Sequence, residues 1–183
     1  MSKIIICISG AVAAYNMPVY IRKYHARHPD DELICVVSNA AEQFVSLPVL
    51  QASCTSLLLC SQGDSQAQHV LLMQNDPTVL LCPATADRIA RATAGLGTDL
   101  MDLIILISGN RTAIFPSMNA KMRHSTTVKK NISILKERGY PIIEEDREAV
   151  ELATNKHVMQ PSMPSIEEWE KIVTKIVALN KKG

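Results

Sequence analysis

With 183 residues, 47% hydrophobic and 20% charged, the chain has the size and make-up of one soluble globular domain with a proper core. A formal net charge of +1 offers no electrostatic footprint for nucleic acid and no basic face for a membrane. Five cysteines without a CxxC pair (Cys7, Cys35, Cys54, Cys60, Cys82) read as reduced thiols of a cytoplasmic protein, not a disulfide framework or a zinc site. No apolar run approaches the ~20 residues of a bilayer span, and the opening MSKIIICISG is not followed by a signal-peptide end.

From the N-terminus, Lys3–Ser9 (KIIICIS) is a continuous apolar run that predicts a strand covered on both faces. Tyr15, Val19 and Tyr20 follow at helical spacing to about Tyr24, with Pro18 in the opening turns. Glu32–Ser38 and Thr78–Pro83 predict the second and third strands. A helix then runs through Thr85–Ala94, followed by the apolar segment Asp99–Ser108. Thr112–Pro116 predicts a fourth strand. Val128, Ile132 and Leu135 mark a helix that Gly139 ends, and YPII (Tyr140–Ile143) predicts a short fifth strand. The last helix, about 165–180, has Ser165 as cap, Glu168 completing a capping box, and an apolar stripe through Ile166, Trp169, Ile172, Val173 and Ile176. The alternation predicts one α/β domain over 1–183: a three-layer αβα, flavodoxin- or Rossmann-like arrangement with a parallel sheet.

In such a sheet, ligands bind beyond the carboxyl ends of the strands, where strand order reverses. Four small or polar segments belong there: SGAVA, SNAAEQF, PATADR and PSMN. Gly10 and its neighbours in SGAVA let backbone N–H groups approach an anion at a helix start. A single glycine is not the GxGxxG set, and Ser38 and Asn39 stand where a dinucleotide fold places an acid for the ribose diol. Together these favour a mononucleotide with a terminal phosphate, such as FMN, over NAD. Thr85 can cap the next helix or bind phosphate, and Arg88 adds a positive charge one turn in. Asn119 in PSMNAKM is either a turn residue or an amide displayed for a ligand. Among five histidines, His25, His28, His124 and His157 sit in polar surroundings; His69, ahead of VLLM, suits either a structural role or general-base chemistry.

ISGAVAAY, a histidine before VLLM, PATADRIARATAGLGTDL and PSMNAKM resemble, in order and spacing, the motifs of the homo-oligomeric flavin-containing cysteine decarboxylases. The resemblance runs over nearly the whole chain. Its tail, ELATNKHVMQPSMPSIEEW, looks most like the lantibiotic peptidyl-cysteine decarboxylases of the epidermin type. It implies FMN as cofactor, with Gly10, Ala11, Val12, Ser38 and Asn39 at its phosphate, Thr85, Ala86, Asp87 and Arg88 beside the flavin, and Phe44 bordering the ring. It implies His69 as catalytic histidine and Asn119 as the residue that holds the substrate carboxylate, with Pro83 and Met122 at the substrate. Thr154, Asn155 and Lys156 match the clamp over the peptide end, in a loop of about 148–164. The implied partners are a precursor peptide ending in cysteine and further copies of the chain, as homotrimers and dodecamers of four trimers.

Asp87, Thr98-Asp99 and Arg123 depart from the family's usual Asn, Asp-Asn and Trp. The cysteine map separates two branches. Phosphopantothenoylcysteine decarboxylases of coenzyme A biosynthesis resemble the chain too, but carry a clamp cysteine that helps return the hydride; here residues 83–183 contain none. The oxidative branch, which leaves an enethiol, is therefore the expectation. Flavin prenyltransferases share the architecture but not PxMN with His69. A non-catalytic flavin-binding subunit would not call for His69 and Asn119 together.

Overall fold

The structure is a computed structural model and describes residues 1–63, 67–144, 146–151 and 156–181. Five parallel strands form the central sheet in the order β3-β2-β1-β4-β5: β1 (Lys3–Ile8), β2 (Glu32–Val37), β3 (Ser56–Leu59), β4 (Thr78–Ala84) and β5 (Thr112–Pro116). The period of two in a strand sends alternate side chains to opposite faces. Ile4, Ile6 and Ile8 join one core, with Leu33, Cys35, Leu80 and Phe115, while Ile5 and Cys7 join another, with Ile34, Val79 and Ile114. Burial on both faces explains why β1 reads as an unbroken apolar run.

The first core is covered by α1 (Met17–Arg27), α2 (Leu47–Gln51) and α8 (Ile166–Asn180), the second by α4 (Ala86–Ala94), α5 (Leu100–Ser108) and α7 (Thr126–Glu137). Pro18 does sit in the first turn of α1. In α8 the capping box forms: Ser165 accepts from the Glu168 amide, and the Glu168 carboxylate accepts from the Ser165 amide. The buried face of α8 carries Trp169, whose indole N–H donates to the Cys82 sulfur at 3.1 Å, with Tyr20 and Tyr24 edge-on at 5.6 and 6.0 Å. Each such side chain contributes about 1.5–3 kcal/mol by leaving water.

Two elements differ from expectation. Ser56–Leu59 is an additional edge strand, and Tyr140–Ile143 contributes only a single bridge, Ile142 beside Ile114. The segment Asp99–Ser108 is helical from Leu100, with Asp99 as its cap. Beyond the sheet, β6 (Asp146–Glu151) and β7 (Lys156–Pro161) pair antiparallel as a hairpin that packs on α6 (Ala120–His124).

Candidate active site

Because β1 has β2 and β3 on one side and β4 and β5 on the other, strand order reverses between β1 and β4. The loops after these two strands are sewn together by one buried hydroxyl. Ser9 Oγ donates to the Pro83 carbonyl at 2.7 Å and accepts from the Thr85 amide at 2.9 Å. The Ser117 amide donates to the Ala84 carbonyl at 2.9 Å, which adds the loop after β5. The loop after β2 closes on the first through Gly10. A Cβ there would lie 2.5 Å from Ala40 Cβ, so only glycine permits the approach. Thus Gly10, Ser38, Asn39, Thr85 and the segment leading to Asn119 share one edge, as the four motifs suggest.

Backbone amides give this edge its polarity. Among the described residues, those of Gly10, Val12, Ala13, Ala86 and Asp87 have no acceptor in the chain. They occupy the starts of the two helical segments that follow β1 and β4, where an anion is favoured. Val12, Asn39 and Phe44 are exposed beside them. A phosphate-bearing cofactor fits this donor set.

Some expected roles need correction. The Ala11 amide turns inward to the Ser9 carbonyl at 2.7 Å, so it is not a phosphate donor. Pro83 is buried, and its carbonyl accepts from Ser9 and so shapes the turn. Arg88 is not a loop-facing cation. Its guanidinium is buried against Asp99, at 2.9 and 3.0 Å, and against Asp102. Burial disfavours the charge, but the two carboxylates outweigh that and hold the Arg88 pKa above its ordinary value. Burial likewise pushes the Asp99 carboxyl up, and the bonds from Arg88 hold it below the usual range. What Arg88 gives the loop is its amide, which donates to the Thr85 cap at 3.2 Å. Asp87 is exposed and pairs with Arg91 at 2.9 Å.

Asn119 takes the local role of the two the sequence left open. It caps α6, with Oδ1 accepting from the Lys121 amide at 2.8 Å, and it stands at the ligand edge. Met122, one turn on, is half-exposed. His69 is half-buried on α3 (Gln68–Leu72), which packs on α5; the Leu71 carbonyl accepts from Lys3 Nζ at the start of β1. Lys156 is exposed at the first position of β7, and Thr154 and Asn155 lie outside the described residues. All five cysteines are free, with Cys54 half-buried and the rest buried. Burial pushes the Cys60 thiol up to about 11 and the Cys7 and Cys82 thiols further. His28 is less exposed than its polar surroundings suggest: it stacks on Tyr24, 4.3 Å between ring centres, and meets Glu170. Among the described residues no His, Cys, Asp and Glu cluster can hold a metal, and no helix is long and apolar enough to cross a membrane.

Sequence reasoning noted Ser9 only for its small size. A lone hydroxyl closing an apolar strand run was the signal for its stitching role. The Ala13 amide and the Ala40 contact carried no signal of their own.

Residues 1–181 match the Flavoprotein family. The chain belongs to the flavoprotein family. This flavoprotein is 33% identical over 144 residues to the coenzyme A biosynthesis bifunctional protein CoaBC of Vibrio vulnificus, which covers 76% of the chain but 35% of that protein. The chain thus spans about a third of the length of such curated relatives. It is 25% identical over 166 residues to the epidermin decarboxylase of Staphylococcus epidermidis, covering 90% of each. Among solved structures, a variant of the peptidyl-cysteine decarboxylase EpiD complexed with a substrate peptide, DSYTC, superposes with a TM-score of 0.84 at 24% identity, over 97% of the flavoprotein and 99% of that chain. The resemblance to flavin-containing cysteine decarboxylases is borne out, and so is the α/β fold with its parallel sheet.

Proposed function

We propose that this flavoprotein catalyses FMN-dependent oxidative decarboxylation of a C-terminal peptidyl cysteine to an enethiol, as a step in maturing a ribosomally made peptide. The observation that carries the reading is the absence of any cysteine after Cys82, set beside the amide-rich edge at the strand switch. Neither β6 nor β7 contains a thiol. With no thiol there to help return a hydride, the product would remain the enethiol.

The Gly10, Val12, Ala86 and Asp87 amides, with Ser38, Asn39 and Thr85, hold the phosphate and ribityl oxygens, and Phe44 borders the ring. FMN, when bound, supplies the acceptor for the hydride that leaves the substrate Cβ. His69 takes the thiol proton. Asn119 holds the substrate carboxylate with a neutral amide, so the charge that must leave as carbon dioxide is positioned without being over-stabilised. Met122 and the clamp, Thr154 to Lys156, enclose the peptide end. The balance is a cysteine residue giving an enethiol, carbon dioxide and two reducing equivalents, which an external oxidant such as oxygen removes.

His69 and Asn119 sit on separate elements, so we assign their convergence to a subunit contact. Val70 and Leu71 on α3 and Leu106 and Ile107 on α5 are all exposed, an apolar face beside His69 that a neighbouring copy would cover in a trimer and, with four trimers, a dodecamer. The five free thiols suit a chain that works in the cytoplasm.

The test is FMN-loaded protein with a short peptide ending in cysteine, read by mass spectrometry and by bleaching of the flavin without oxygen. The expected product has lost carbon dioxide and two hydrogens. Loss of carbon dioxide alone overturns the oxidative branch. Kinship with CoaBC favours a second reading, decarboxylation of phosphopantothenoylcysteine. Turnover of that compound with no reaction on the peptide would establish it.

A further inference from the structure

Arg123 is the motif residue that the decarboxylase reading leaves unused. It lies on α6, four residues past the Asn119 cap, and is only 17% exposed. Its Nε and Nη2 both donate to one oxygen of Glu144, at 3.1 and 2.5 Å, and Lys136 Nζ of α7 donates to the other oxygen at 2.6 Å. Glu144 therefore joins two helices through its two oxygens, at 18% exposure.

The place of Glu144 in the chain gives this pairing its consequence. Pro141 to Ile143 run beside β5: the Ile114 amide donates to the Pro141 carbonyl, and the Ile143 amide to the Ile114 carbonyl, each at 2.8 Å. Glu144 follows at once, and Asp146 opens β6. The carboxylate is thus a fixed point where the chain leaves the sheet for the hairpin. From the hairpin, β7 comes back against α6. Burial pushes the Glu144 carboxyl up, but the bonds from Lys136 and Arg123 hold it below its ordinary range.

We propose that Arg123 and Glu144 are positioning residues that brace the base of the β6–β7 hairpin against α6, and so set where the hairpin stands relative to Asn119. A planar guanidinium with two donors on a carboxylate fixes orientation as well as distance, which an ammonium does not. Lys136 comes from α7 and holds the other oxygen, so it ties Glu144 to a different helix. The effect on substrate rests on the peptide reading above; the brace itself does not.

The test is hydrogen exchange of the FMN-loaded protein, followed by mass spectrometry over residues 146–151 and 156–161. Arg123→Met and Glu144→Gln are each expected to speed exchange there by about tenfold, with β1 and α8 unchanged. Arg123→Lys should recover part of that protection, and Lys136→Met should leave it within about twofold of wild type. With a cysteine-ending peptide, KM should rise about tenfold in Arg123→Met while kcat stays within about twofold. Unchanged exchange in both Arg123→Met and Glu144→Gln overturns the brace, as does a Lys136→Met effect equal to theirs. If wild-type protein turns over no such peptide, the substrate reading fails and the exchange data still decide the brace.

Discussion

At Asn119 one amide caps α6 and, on the proposed reading, also holds the substrate carboxylate, and two substitutions separate the jobs. Asn119→Asp keeps an oxygen for the Lys121 amide, so stability should stay within about 0.5 kcal/mol. It also sets a negative charge where a substrate carboxylate is to sit, and flavin reduction by a cysteine-ending peptide should slow at least about 100-fold. Asn119→Ala should lose about 1 kcal/mol as the cap goes. Gly10→Ala tests the close approach of two loops, since its Cβ would meet Ala40 Cβ at 2.5 Å and backbone at 2.9 Å. We expect a cost of about 1–3 kcal/mol in urea unfolding, with FMN uptake weakened at least tenfold in fluorescence titration. At this scale the sequence was legible where chemistry is local: Thr85 as a cap, and Ser165 with Glu168. It was illegible at Pro83 and Arg88, whose partners Ser9 and Asp99 lie far along the chain, and at Ala11, whose amide turns back to Ser9 two residues before it.

The helices α4 and α5 are tied by Arg88, Asp99 and Asp102, and the tie explains why a guanidinium can be buried beside a ligand edge. Asp102→Asn leaves that buried charge short of a partner and should cost about 3–5 kcal/mol in chemical denaturation. Asp99 gives the tie a pH signature. Its carboxyl is held below its unfolded value, so its contribution is fully present above that value, about pH 4, and is lost as pH falls through the lower folded one. Urea midpoints measured from neutral pH downward should therefore fall below about pH 4, and less steeply in Asp99→Asn. The helical period of α5 was hidden because its exposed side carries Leu106 and Ile107, which leaves little polar face to set against the buried Leu100, Met101, Ile104 and Ile105. Asp99 before the run and Gly109 after it were the readable signals. The edge strand Ser56–Leu59 is too short for its pattern to stand out, and YPII reads as a strand because it does lie along β5, though it makes one bridge only.

Over the whole molecule, the alternation of apolar runs and helical stripes sufficed for the parallel sheet, and the sheet sufficed to bring four loops to one edge. What alternation does not encode is how copies meet. If copies meet over the exposed face of α3 and α5, as proposed, Leu106→Glu should shift the protein toward monomer in light scattering and reduce turnover with it, while the monomer's circular dichroism is unchanged.

The indole of Trp169 touching the Cys82 sulfur has an optical corollary. A thiol in contact drains the excited state of an indole, and this is the only tryptophan in the chain. Native protein should therefore glow faintly and brighten as α8 undocks from β4, with Cys82→Ser raising the native emission. The chain carries its own lamp for following that event, without a dye.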